Sequence, residues 1–277
     1  MPGIYLHIPF CKKACTYCDF HFSTSTLGRE RVLNAMLLEL EQRAAELKGT
    51  VGTIYFGGGT PSLLAPAEIA HFMQDMRARF VVAVEAEVTL EANPDDITAE
   101  RLSAWKAGGI TRISLGTQSF REDRLRFMGR AHSSEQALRS IALIAKAGFT
   151  SWTIDLIYGL PGMTLDEWDE QLTIALDQGM PHLSAYCLTV EARTALAYQV
   201  GKGLVAMPED DEQSAQFDRL MERMEAAGLD HYEISNFGKP GHHSRHNTSY
   251  WDGATYLGIG PSAHSFDSTV RRWNVSN

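Results

Sequence analysis

Three of the four cysteines in this chain of 277 residues, Cys11, Cys15 and Cys18, fall within the short stretch "HIPFCKKACTYCDF". Thiolates so close together hold a metal ion, an iron–sulfur cluster or a disulfide framework, and the surroundings separate the three. Disulfide scaffolds belong to small secreted chains with an even cysteine count, and no basic, apolar and small-residue leader precedes the cluster, so reduced thiols and a cytoplasmic location are expected. Structural zinc takes four ligands, usually as two knuckles. The remaining cysteine, Cys187, is far away in an apolar run and reads as a buried core thiol. A cubane iron–sulfur cluster normally takes four cysteines; three would leave one iron without a protein ligand. An open coordination position is what a reactive centre keeps.

These thiols need a scaffold, and the sequence describes one. Hydrophobic residues make up 44% of the chain, with no apolar run long enough to span a bilayer, and the formal net charge is −9. That balance, with no stripe of Lys or Arg, argues against nucleic acid as a partner. Short strand-like runs, "GIYLHI", "GTIYF", "AEVTLEA", "RISLGT", "TIDLIY" and "LSAYCL", alternate with helical stretches, and "HYEIS" is a seventh candidate. The runs read as apolar on both faces, as buried parallel strands do. Helices are expected over 29–48, 66–80, 98–107, 133–147, 164–178 and 209–227, most stopped by glycine. Consecutive βα units give an α/β fold, either a barrel-like parallel sheet or a doubly wound one; periodicity leaves both open.

In either fold chemistry gathers at the C-terminal ends of the strands. There the sequence places "GGGTPS" (57–62), "EANP" (91–94), "GTQSF" (116–120) and "YGLPG" (158–162), with Asp155 inside the fifth strand. The glycine run matches neither phosphate-loop pattern, and it suits backbone pressed against a ligand. Taken singly, Glu91, Gln118 or Asp155 is an ordinary turn or capping residue. Their recurrence along one sheet edge marks a site.

C-x3-C-x2-C with Tyr17 before the last cysteine resembles the radical S-adenosylmethionine (SAM) signature. Together with "YLHIPFCKKACTYCDF", "FGGGTPS", "LEANPD", "GTQSF", "IDLIYGLPG" and "HNTSYW", the chain resembles, over essentially its whole length, the branch holding oxygen-independent coproporphyrinogen III oxidase and HemW-type heme chaperones. The resemblance implies a partial (β/α)6 radical-SAM barrel over 1–230 and a C-terminal extension from 231 to 277, beyond which relatives continue into a helical domain. It implies a [4Fe–4S] cluster on Cys11, Cys15 and Cys18 whose open iron chelates SAM, which a cluster electron cleaves to an adenosyl radical. Tyr5, Tyr17, Gly58, Gly59, Thr60, Glu91, Gln118, Arg130, Asp155 and Thr189 would surround SAM, with Arg130 toward its carboxylate. Valine at Gly58 is then expected to fill the space of the methionine end.

Two departures choose between the branches. The oxidase has a further cysteine where this chain has Phe20, and it has a sizeable extension before the cluster; here ten residues precede Cys11. The resemblance therefore implies a heme chaperone without coproporphyrinogen oxidase activity, handing heme to membrane-bound respiratory hemoproteins and working with an electron donor, with no transmembrane segment of its own. In "HNTSYW" (246–251), His246 offers an imidazole for heme iron, and Tyr250 and Trp251 offer faces for a porphyrin. A solvated histidine in a surface turn is the plain alternative, and His231, His242, His243 and His264 are neighbouring candidates. The runner-up that the resemblance implies is the oxidase itself, using the adenosyl radical for oxidative decarboxylation of porphyrinogen propionates, and a bare iron–sulfur domain, indifferent to SAM and heme, is the third reading.

Overall fold

The computed structural model describes residues 1–276. Its strands are β1 (Gly3–Ile8), β2 (Val51–Gly58), β3 (Val82–Ala92), β4 (Arg112–Gln118), β5 (Ser151–Tyr158), β6 (His182–Cys187), β7 (Asp230–Glu233), β8 (Asn236–Gly238), β9 (Tyr256–Ile259), β10 (His264–Phe266) and β11 (Arg271–Trp273). They form one sheet in the order β11-β10-β9-β1-β2-β3-β4-β5-β6-β8-β7. Strands β1 to β6 run parallel in sequence order, β9 joins β1 in parallel, and the sheet ends are antiparallel additions. The ends do not meet, so the α/β fold is the partial barrel expected. The run "HYEIS" supplies β7, but as an outer antiparallel strand.

The helices are α1 (Arg29–Arg43), α2 (Pro66–Arg79), α3 (Ala99–Ala107), α4 (Glu122–Met128), α5 (Ser134–Lys146), α6 (Leu165–Asp177), α7 (Ala195–Gly201), α8 (Asp210–Ala226) and α9 (Arg245–Trp251). Several begin on a hydroxyl that satisfies a free N–H of the first turn: Thr98, Ser133, Thr164, Thr194 and Ser244 all accept from the residue three positions on. A cap of this kind stabilises its helix by about 1 kcal/mol.

The strands are not apolar on both faces. Ile4, Leu6 and Ile8 of β1, Ile54 and Phe56 of β2, Val88 and Leu90 of β3 and Ile154 and Leu156 of β5 pack outward into the core beneath the helices. Burial of each such side chain contributes roughly 1.5–3 kcal/mol. The alternate positions face the lumen and are polar: Tyr5 and His7, Thr53 and Tyr55, Glu87, Thr89 and Glu91, Arg112 and Ser114, Thr153 and Asp155, His182 and Ser184. A buried polar group left unpaired costs a comparable amount, so this inner face requires partners. Thr53 bonds His246 at 2.8 Å, Tyr55 donates to Glu91 at 2.9 Å, Ser114 donates to Asp155 at 2.8 Å, and Ser184 donates to Asn236 at 2.7 Å.

The residues that follow α8 build the floor of this cup as well as the two edges of the sheet. Helix α9 sits at the N-terminal end of the lumen, its first backbone N–H groups donated by Arg245 and His246 to the Glu87 carboxylate at 3.1 and 3.0 Å. A carboxylate at a helix N-terminus is favoured by the helix dipole.

Candidate functional site

The cluster loop leaves β1 at the open, C-terminal end of the sheet. Cys11 N–H donates to Ser23 O at 3.0 Å and Ser23 N–H to Pro9 O at 2.6 Å, which folds residues 9–23 into a closed loop. Thr16 anchors it below: its N–H donates to Met128 O at 3.0 Å and its carbonyl accepts from Leu196 N–H at 2.8 Å. Lys12 pins one flank through Asp95 at 2.6 Å and through Asp96. His7 closes the other, its Nε2 bonded to His21 O at 2.8 Å.

This loop roofs a cavity of about 500 Å³. Its wall carries Cys11, Cys15, Cys18, Tyr17, Gly58, Gly59, Thr60, Glu91, Gln118, Arg130, Asp155 and Thr189 together, so residues distant in sequence share one space. Two named residues lie outside it. Tyr5 sits a layer lower, stacked on Tyr55 with ring centroids 6.0 Å apart. His246 is 1% exposed in the floor, its Nδ1 bonded to Thr53 Oγ1 at 2.8 Å and its Nε2 to Tyr250 OH at 2.9 Å. Both ring nitrogens are thus engaged, and desolvation lowers its pKa to about 3. The solvated-turn alternative does not describe this residue, and in this fold it presents no free lone pair. Trp251 is exposed beside it.

The three thiols fit an iron–sulfur cubane better than a single ion. Among the described residues no three Cys, His, Asp or Glu side chains gather tightly enough around one metal, whereas a cubane takes one thiolate per iron across a wider span. Burial pushes the Cys18 thiol up to about 11 and raises Cys11, so a cationic centre is needed to hold thiolates there. Thr60 Oγ1 and an Arg130 guanidinium nitrogen each lie 3.5 Å from a sulfur, on Cys11 and Cys15 respectively. Deeper in, desolvation raises Glu91 to about 8 against the opposing hydrogen bond from Tyr55, and raises Asp155 to about 6. These two carboxyl groups line one cavity and, among the described residues, neither is in an ion pair, so together they form a receptor for positive charge.

Gln118 reaches this wall through a strained backbone: its φ is +64°, at the register shift where β4 breaks step with β5. A non-glycine residue there is held only by its surroundings, at a cost of about 1–3 kcal/mol. Residues the sequence reading passed over also line the cavity, notably Tyr55, Asn93, Ser114 and Tyr186. Alternation in "GTIYF" and "LSAYCL" was the available signal for Tyr55 and Tyr186. Cys187, expected as a buried core thiol, packs against the core but is only half-buried: it also lines the same cavity, its Sγ 3.4 Å from Gln213 Oε1.

Residues 5–173 match the radical SAM superfamily. The chain is 42% identical over 280 aligned residues to the "Heme chaperone HemW" of Mycobacterium tuberculosis, covering 99% of this chain and 72% of that protein. This chain belongs to the HemW family of radical SAM proteins. The HemW proteins of Bacillus subtilis and Escherichia coli are 36% and 38% identical, the matches covering 73% and 69% of their lengths. In three dimensions the HemW-family chain superposes on coproporphyrinogen III oxidase (HemN) from Escherichia coli with a TM-score of 0.85 at 25% identity, over 100% of this chain and 67% of that one. Among the described residues no helix is long and apolar enough to cross a membrane.

Proposed function

We propose that this chain holds a [4Fe–4S] cluster on Cys11, Cys15 and Cys18, binds SAM in the cavity beneath it, and carries heme for delivery to respiratory hemoproteins. The observation that supports the reading most is the convergence, in a HemW-family chain, of the three thiols with nine of the ten expected SAM-contacting residues on one cavity wall. When bound, the cluster supplies an open iron and one electron. The chain's own residues do the rest. The Glu91 and Asp155 carboxylates meet the ammonium and sulfonium charge of SAM, Gln118 and Thr189 offer hydrogen bonds, and Arg130 and Thr60 stand by the sulfurs. Phe20, 68% exposed at the rim, gives no further thiol, and the chain is expected not to decarboxylate coproporphyrinogen.

The raised carboxyls make SAM affinity depend on pH. In the free protein Glu91 titrates at about 8 and Asp155 at about 6. A cation binds the ionised forms, so it must displace protons below those values, and SAM affinity rises with pH up to about 8, more steeply below about 6 where both groups are protonated, then levels off. Calorimetry on the anaerobically reconstituted protein reads this directly. A flat profile would remove the two carboxyls from the site.

For heme, His246 is the imidazole we assign to iron, released from Tyr250 while Thr53 still holds Nδ1, since a metal-binding imidazole gains from a partner on its other nitrogen. His246→Leu then weakens heme binding and alters the Soret band while iron content stays the same. Tyr250→Phe acts in the opposite direction. It removes the hydrogen bond that competes for Nε2, a net contribution of about 1 kcal/mol, and so tightens heme binding roughly fivefold. Heme titrations unchanged in both variants would shift the ligand to His242, His243 or His264.

A further inference from the structure

We infer that Arg130 governs how readily the cluster accepts its electron, an inference resting on the assignment of Cys11, Cys15 and Cys18 as cluster ligands. Its guanidinium is aimed at the cluster loop: Nη1 donates to Cys15 Sγ at 3.5 Å, while Nη2 is fixed by Asn93 Oδ1 at 2.6 Å and Gly116 O at 2.9 Å. Both fixing acceptors are neutral. Among the described residues Nε is buried without a partner. The other cations near the loop are placed differently. Lys12 is neutralised by Asp95 and Asp96, Arg124 is neutralised by Glu167 at 2.7 Å, and Lys13, on the loop itself, is exposed to solvent, which screens its charge. Arg130 is thus a cation held by dipoles, without a carboxylate, against a cluster ligand.

Three thiolates outweigh the positive charge of an oxidised cubane core, and one-electron reduction adds a further negative charge without breaking a bond or moving a proton. A fixed cation at a ligand sulfur favours the reduced form more than the oxidised one, because net charge and hydrogen bonds to sulfur set the potential of such clusters. Arg130 therefore makes the cluster easier to reduce before SAM arrives, which is separate from any contact it makes with the SAM carboxylate.

The test is a potentiometric titration with dithionite, followed by electron paramagnetic resonance, on reconstituted protein without SAM. Arg130→Gln keeps amide contacts in place of the fork but removes the charge, and its midpoint potential is expected to move to more negative values. Arg130→Lys keeps the charge, and its potential is expected to stay close to that of the parent. If the Gln variant takes up no cluster, Asn93→Asp decides, since a carboxylate on the guanidinium cancels its charge and gives the same negative shift. A parental potential in Arg130→Gln, or an equal shift in the Lys and Gln variants, overturns the inference; for the Asp variant, no shift does so. Failure of the parent chain to assemble any cluster would instead defeat the cysteine assignment.

Discussion

Alanine at any one of Cys11, Cys15 or Cys18 is expected to abolish the iron–sulfur absorption of the reconstituted chain, whereas Cys187→Ala keeps about four irons per chain, the cubane stoichiometry. The contrast is sharp because Cys187 borders the same cavity and is the one further thiol that could complete a four-cysteine set. Two features set it apart. It ends β6, paired with Tyr158 of β5, whereas the three others share a loop that can adjust to a cluster. Its sulfur is also engaged by Gln213, and a Cβ on Gly159 would meet it at 3.0 Å, so little room remains around it. Iron determination and absorption spectra on the four variants separate the cases. Loss of the cluster in Cys187→Ala would mean four protein ligands and no open iron.

Gly58→Val should destabilise the chain by about 4 kcal/mol even without ligand. The backbone φ at Gly58 is +106°, a conformation that costs a β-branched residue about 1–3 kcal/mol. A Cβ there would also sit 2.8 Å from the His7 ring, and overpacking of that kind adds about 1–3 kcal/mol. The sequence suggested that this side chain would fill the ligand's space; in the structure it drives into the residue that ties down His21 and the cluster loop. It is Gly57 whose Cβ would point among Tyr5, Tyr55 and Glu91, at 2.9, 2.9 and 3.1 Å. Urea unfolding of the ligand-free variant measures the loss. An unaltered unfolding midpoint combined with weaker SAM binding would restore the ligand-facing role to Gly58.

The long helices were legible because their ends are chemically marked. The stretches expected at 66–80, 98–107, 133–147, 164–178 and 209–227 each match an observed helix to within a residue at each end, and 29–48 closes early, as α1 followed by a short 3-10 turn. The backbone N–H groups accepted by Thr98, Ser133 and Thr164 and the glycines beyond the C-termini make these boundaries a property of the local sequence. Helices α4, α7 and α9 have seven residues each, too few for a helical period to stand out. The period of two in the polar lumen is hidden for another reason: tyrosine and threonine are themselves strand formers, so "GIYLHI" and "GTIYF" look apolar throughout. Most of the cavity was readable because its residues sit in motifs at strand ends. The floor was not, since His246 meets Thr53 and Tyr55 only after the chain has gone round the sheet, and no local pattern encodes a contact of that range.

The pairing of β1 with β9 sets Gly3 opposite Tyr256, far apart in the sequence. The strand that leads into the thiols has one neighbour, β2, that follows it after a single helix, and a second, β9, that joins only after all the other parallel strands. Contacts of such separation are entropically expensive to close and make folding slow. Until β9 docks, β1 is an open sheet edge, exposed to pairing with other chains. The cluster loop, which leaves β1, therefore settles only once β9 has closed that edge.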